Sequence, residues 1–403
     1  MTSSTSSEAH SPDPQRLPPV GLYVHLPWCV RKCPYCDFNS HELNDPLDDS
    51  QARDYLDLLL ADWRMQRTAL RDRRVDTIFF GGGTPSLLPP WLFQGLIDEI
   101  GPALSPEAEI TMEANPGTLE QGDLGGFRDA GVNRLSLGVQ SFHQASLEAL
   151  GRIHSVADAT RAIEEAHRVG FTRINLDLMH GLPEQDTAAA ARDIERAIDS
   201  GVDHVSYYQL TIEPKTAFAR RPPELPDEDT LAAIEEDGLA ALGAAGFERY
   251  EISAYAKAGQ ACRHNRNYWA FGDYIGIGAG AHGKLTERAA APESGAAAFH
   301  IERTSRPRQP RLYARAVNAG SAPDTQPVPE DQIGVEFLLG ALRLLDGVDE
   351  DLFATRSGLP LAAIAKPLQD LRRRRLLAPR RLQLTPLGRR FLDSVVAEFL
   401  PAG

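Results

Sequence analysis

Six short apolar runs recur along the first half of the chain, separated by stretches of helical period. The runs are LYVHL (22–26), VDTIFF (75–80), AEITMEA (108–114), RLSLGVQ (134–140), RINLDLM (173–179) and HVSYYQL (204–210). Between them, ARDYLDLLLADWRMQRTAL (52–70) and ADATRAIEEAHRVG (157–170) space their apolar residues three and four apart, as amphipathic helices do. Strand, helix and strand repeated about six times predict a parallel sheet with right-handed crossovers. That many units favour an α/β fold with a partial (β/α)6 TIM-type barrel over a doubly wound open sheet. In such a barrel, chemistry collects where the strands end, on the C-terminal face.

The pattern degrades after about residue 255. Residues 286–330, rich in Ala, Pro, Ser and Arg, are predicted to be a loop or connector. A second unit begins near Ile333. GVEFLLGALRLLDG and PLAAIAKPLQDLRRRRLL read as helices, RRLQLTPLG as a short hairpin, and RRFLDSVVAEFL as a further helix. This order fits a small winged-helix-like α+β domain. The predicted division is a disordered tail at 1–18, the barrel at 19–256, a connecting segment at 257–330 and the C-terminal domain at 331–403.

Composition narrows the classes. The chain has 403 residues, 42% of them hydrophobic, enough for more than one core. A formal net charge of −14 argues against generic nucleic-acid binding, which runs on phosphate neutralisation. The run Arg372–Arg375 then reads as a solvated helix end, with cations near the negative pole of the dipole. The polar, Pro/Ser-rich N-terminus lacks the apolar stretch of a signal peptide. No apolar run approaches the ~20 residues that span a bilayer, so no stable membrane insertion is expected. Four cysteines at this length do not make a disulfide framework, and a cytoplasmic chain with reduced thiols is predicted.

Three of the four cysteines, Cys29, Cys33 and Cys36, crowd into GLYVHLPWCVRKCPYCDFNS. Pro27 and Pro34 oppose a continuous helix, and a loop lets three sulfurs converge. Zinc is one reading, with a fourth ligand from His25, His41 or Cys262. The stronger one is an iron–sulfur cubane, which four thiolates normally hold; three leave one iron open to another ligand. GGGTP (81–85) directly follows a predicted strand, where glycines let the backbone approach a ligand. Asp177 interrupts an otherwise apolar strand, and burying that charge requires a partner.

Together these features resemble the radical S-adenosylmethionine (SAM) superfamily: C-x3-C-x2-C after a first strand, an aromatic before the last cysteine, and a GGTP loop. The resemblance implies a radical SAM barrel with a [4Fe–4S] cluster on Cys29, Cys33 and Cys36, SAM on the open iron, and use of an electron donor. YVHLPWC, LGVQSF, GRIH and DLMHGLP narrow it to the anaerobic coproporphyrinogen oxidase group. There, Tyr23, Tyr35, Gly82, Gly83, Thr84, Glu113, Gln140, Arg152 and Asp177 fall on positions that contact SAM. The oxidases extend the loop by a further cysteine, where this chain has Phe38. The segment Cys262-Arg-His264-Asn265-Arg-Asn-Tyr268-Trp269 is similar to the CxHNxxYW signature of the HemW-type haem chaperones, which share the oxidase fold and lack that cysteine. The resemblance thus implies haem as a ligand, a haem-accepting protein as partner, and Cys262, His264, Asn265, Tyr268 and Trp269 as haem-site candidates. No catalytic residue is assigned. The alternatives are an oxygen-independent coproporphyrinogen-III dehydrogenase of porphyrin biosynthesis and a nucleic-acid-modifying radical SAM enzyme.

Overall fold

The computed structural model describes residues 17–45, 47–119, 124–289 and 298–400. Six parallel strands form its centre: β1 (Val20–Leu26), β2 (Val75–Gly82), β3 (Leu104–Ala114), β4 (Arg134–Gln140), β5 (Ile174–His180) and β6 (His204–Gln209). Each pairs with the next in chain order. This sequential order is that of a barrel wall; a doubly wound sheet would reverse direction part-way. All six runs of the sequence fall on these strands.

The wall extends further than the sequence indicated. A seventh parallel strand, β7 (Asp273–Ile277), pairs with the outer side of β1. The segment expected as a connector then adds three antiparallel strands, β8 (His282–Arg288), β9 (Phe299–Ser305) and β10 (Asp324–Pro327). At the other edge, Ala254–Ala256 pairs antiparallel with β6. Among the described residues the sheet has twelve strands with two free edges, so the barrel is partial. The barrel unit therefore runs past residue 256. The expected 1–18 tail lies outside the described residues up to 16, while Pro18 already accepts a hydrogen bond from Arg73 Nη1 (3.0 Å).

Alternation along each strand separates two environments. Val20, Leu22, Val24 and Leu26 of β1 join the main core with Tyr55, Leu59 and Trp63 of α1 (Asp49–Gln66). Helix α1 starts where Asp48 and Gln51 form a reciprocal capping box. It is fastened to the sheet by buried Asp62, which takes hydrogen bonds from Gln66 Nε2 (2.7 Å), Tyr313 Oη (3.0 Å) and the Gly278 amide (3.2 Å) and pairs with buried Arg306. The other strand face turns into the barrel and is mostly polar.

The C-terminal unit has its own core around Phe337, Phe353, Leu371 and Leu382. Its small sheet pairs Val348–Asp349 with Arg381–Leu382, and a Leu377–Leu384 bridge closes a turn that begins before the expected hairpin, whose second half, Pro386–Arg389, is helical because Thr385 caps it and Pro386 opens it. The arginine run is held by carboxylates: Arg372 pairs with Glu350, Arg373 with Asp370 and Arg374 with Glu398. Among the described residues, no helix is long and apolar enough to cross a membrane.

Candidate functional site

Beyond β1 the chain turns into the cysteine loop. Trp28–Cys29 pairs with His41–Glu42 and closes it; inside, the Cys36 amide donates to the Cys33 carbonyl (3.0 Å). The three cysteines are free and half-buried, and all line one cavity at the C-terminal ends of the strands. Each sulfur faces a polar side chain. Thr84 Oγ1 and Arg152 Nη1 donate to Cys29 Sγ and Cys33 Sγ, each at 3.5 Å, and Ser40 Oγ lies 4.0 Å from Cys36 Sγ. Burial pushes the Cys29 and Cys36 thiols up, against these donors.

Eight of the nine expected SAM-contacting residues line the same cavity: Tyr35, Gly82, Gly83, Thr84, Glu113, Gln140, Arg152 and Asp177. The ninth, Tyr23, lies a layer deeper, its hydroxyl on His25 Nδ1 (2.9 Å). The glycine loop is knitted to the cysteine loop by amide bonds from Gly83 to Leu26 and Thr84 to Trp28 (2.8 and 2.7 Å). Gly82 has φ of +115°, and a Cβ on Gly83 would collide with the Trp28 carbonyl, so only glycine fits either position. Gln140 holds a left-handed φ of 68° at its strand end, a strained conformation typical of ligand sites.

The cavity floor is acidic. Burial, with Asp177 adding repulsion, pushes Glu113 up to about 7, against one hydrogen bond from the Gly82 amide (3.1 Å). Burial also raises Asp177, although Asn175 Nδ2 (2.8 Å) and Ser136 Oγ (3.2 Å) donate to it. Two half-buried carboxylates facing one cavity make a place for a cation. Arg152 supplies the opposite charge: Nη2 donates to the Gly138 carbonyl (2.7 Å), while its buried Nε has no partner among the described residues.

The CxHNxxYW segment lies at the opposite mouth. Helix α2 (Arg263–Trp269) sits under the N-terminal strand ends, with Cys262 at its N-cap. Glu109, from β3, accepts the Arg263 and His264 amides (3.2 and 3.1 Å) and the Cys262 thiol (3.6 Å), satisfying the first N–H groups of the helix. Burial disfavours its charge, but Arg134, Arg173 and those amides hold its carboxyl below the usual range. The His264 ring hydrogen-bonds Thr77 Oγ1 through Nδ1 (2.8 Å) and tilts against Phe79. Burial lowers it to about 4. Trp269 packs against the C-terminal core, with Arg343 over its ring, and Tyr268 is exposed. Cys262 and His264 therefore close this mouth of the barrel, Trp269 joins it to the C-terminal core, and Cys262 is far from the cysteine loop. The other two candidate zinc ligands are engaged as well: His25 Nε2 on the Asn39 carbonyl, His41 Nε2 on that of Arg308.

Residues 23–194 match the radical SAM superfamily, and residues 328–391 match the HemN C-terminal domain. The chain is 44% identical to the heme chaperone HemW of Escherichia coli (strain K12) over 96% of this chain and 99% of that protein. It belongs to the HemW family of radical SAM proteins. The HemW of Mycobacterium tuberculosis (strain H37Rv) is 35% identical over 95% of both chains. The solved coproporphyrinogen III oxidase HemN of E. coli shares the fold, with a TM-score of 0.77 at 22% identity over 96% of this chain and 91% of that one.

Membership in the radical SAM family implies a [4Fe–4S] cluster and SAM, and the residues of this HemW-family site fit both. Three free thiols with a donor beside each suit a cluster with one open iron. The paired carboxylates suit the cationic groups of SAM, and Arg152 suits its carboxylate. When bound, the cluster supplies the electron that can break a SAM carbon–sulfur bond. The sequence missed Tyr208, which also lines the cavity and donates to Gln140 Oε1 (2.8 Å), fixing that amide's orientation. It also missed Asn115, which accepts from the Gly117 amide (3.1 Å) and meets His154. A tyrosine near the C-terminal end of the run HVSYYQL was the available signal for Tyr208.

Proposed function

We propose that this protein is a cytoplasmic haem chaperone: it holds a [4Fe–4S] cluster on Cys29, Cys33 and Cys36, SAM in the adjoining cavity, and haem that it passes to an acceptor protein. The observation that carries this reading is the full-length relation to a protein named heme chaperone HemW, covering both domains. Phe38 supports it, because it stands where the resembling oxidases carry another cysteine. SAM serves here as a bound ligand whose cleavage the chaperone role does not require.

The test is an anaerobic haem titration of the cluster-loaded protein followed by absorbance, then transfer to an apo-haemoprotein. Saturable binding and transfer are the expected result, and no binding by the wild type would end the reading. Adding coproporphyrinogen III, SAM and a reductant tests the dehydrogenase alternative, whose signature is stoichiometric protoporphyrinogen. Including His264→Ala tests the ligand role of that residue, which requires α2 to leave the barrel mouth or to offer the other ring nitrogen.

A further inference from the structure

The rim of the cluster cavity carries side chains that the expected cluster and SAM contacts leave unassigned. Phe38 lines the cavity yet is 65% exposed, and Val30, in the same loop, is 48% exposed. Large apolar side chains left in water beside a concave polar site mark a contact surface. Arg31 and Lys32 follow Val30 and also line the cavity. Arg31 is exposed and has no partner among the described residues. Lys32 Nζ donates one bond to the Phe38 carbonyl (2.8 Å), leaving two N–H groups for a ligand. The Lys32 amide is tied to Glu42 Oε1 (2.7 Å), which fixes the turn. Asp37 and Glu42, the loop's exposed acids, are not among the cavity-lining residues.

The loop thus turns its cysteines inward and offers a flat aromatic ring and two cations at the cavity rim, with the aliphatic Val30 exposed in the same loop. A planar apolar macrocycle with paired carboxylates matches both halves of that surface: its face stacks on a ring, and its carboxylates meet guanidinium and ammonium groups. The opposite mouth offers less, since Cys262 is closed in against Glu109 and His264 Nδ1 is held by Thr77. We propose that haem docks on the rim of the cluster cavity, recognised by its apolar face and its propionates through Phe38, Val30, Arg31 and Lys32, and not by its iron. This rests on the haem-binding reading above and adds to it the surface and the mode of recognition.

The test compares haem with metal-free protoporphyrin IX. Cluster-loaded wild type, Phe38→Ser, Arg31→Glu and His264→Ala are titrated anaerobically with each, followed by absorbance. The rim reading expects comparable affinity for the two porphyrins in the wild type. Phe38→Ser and Arg31→Glu should each weaken both by about tenfold, the worth of one lost apolar or charged contact. His264→Ala should leave protoporphyrin binding unchanged. Binding of haem without binding of the metal-free ring overturns the proposal, as do wild-type affinities in both rim variants. Rim variants that keep porphyrin binding and lose only reduction by a donor protein also overturn it, and reassign the surface to electron transfer. A wild type that binds neither porphyrin sinks the underlying haem reading as well. Iron and sulfide analysis accompanies each variant; if Phe38→Ser loses its cluster, Arg31→Glu still decides the question, because the Arg31 side chain supports nothing in the fold.

Discussion

Glu113 makes the cofactor cavity sensitive to pH near neutrality. Its carboxyl stands at about 7, raised first by burial and then by the negative charge of Asp177. The empty site therefore takes up a proton as pH falls through 7. A ligand with a permanent sulfonium charge prefers the ionised carboxylate and must displace that proton, so SAM binding should weaken on acidification. If only the ionised form binds, affinity follows its fraction, about one-tenth at pH 6 and about nine-tenths at pH 8. The expected change is roughly tenfold, or about 1.4 kcal/mol, between those pH values. Glu113→Gln keeps an acceptor for the Gly82 amide and removes the titration. Anaerobic equilibrium dialysis of SAM against cluster-loaded wild type and variant at pH 6, 7 and 8 makes the comparison. The amino group of SAM titrates identically in both arms, so the difference between slopes belongs to Glu113. Parallel slopes would refute the reasoning, and so would tighter binding by the wild type at pH 6 than at pH 8.

Three further perturbations have defined outcomes. Asp62→Ala should cost about 3–5 kcal/mol in urea unfolding, because it leaves Arg306 buried without its counter-ion; a loss under about 1 kcal/mol would mean that water replaces the carboxylate. Gly83→Ala should lower reconstituted iron and sulfide per chain at a folding cost of about 1–3 kcal/mol, since its methyl group drives into the Trp28 carbonyl; full cluster content would contradict that clash. Gln140→Gly should relieve the left-handed backbone but leave the Tyr208 hydroxyl without its acceptor, so that the fold changes in stability by no more than about 1 kcal/mol while SAM binding weakens; unchanged affinity would show that the strain serves no ligand.

The six barrel strands were legible because their outward positions form unbroken apolar series, such as Leu135, Leu137 and Val139 of β4. The seventh was hidden by glycines. Gly276 and Gly278 look like loop residues, but a Cβ on either would strike the backbone of His282 or His25, so they mark close approach of neighbouring strands. Strands β8 to β10 were missed because one face is solvated: in HIERTS, Ile301 and Thr304 are buried among exposed or half-exposed neighbours. The cysteine, glycine and carboxylate residues line one cavity, because strand-end positions in a barrel share one face whatever their distance in sequence. The CxHNxxYW segment shows the opposite. Its composition suggests a ligand site, and composition cannot say at which mouth of the barrel a helix will lie.

That placement explains the interior between the two mouths. Barrels are usually filled by branched apolar side chains, yet here Asn175 stands at the centre of a polar column. It donates to Asp177 and Ser136 and meets His204 Nδ1 through Oδ1 (2.6 Å); His204 Nε2 meets Tyr250 Oη (2.9 Å), which accepts the Cys262 amide (3.3 Å). Such a column keeps its shape only if water cannot enter from below, since small polar side chains are readily hydrated. Helix α2 is the seal, and Glu109 is its clasp. Burial is also what raises Glu113. Loosening the clasp with Glu109→Ala should therefore act on a residue at the other end of the barrel: Glu113 falls back toward the ordinary carboxylate range, and the pH dependence of SAM binding between 6 and 8 flattens although no cavity residue has changed. A variant that folds, keeps its cluster and retains the full tenfold slope would show that the burial of Glu113 does not depend on the plug.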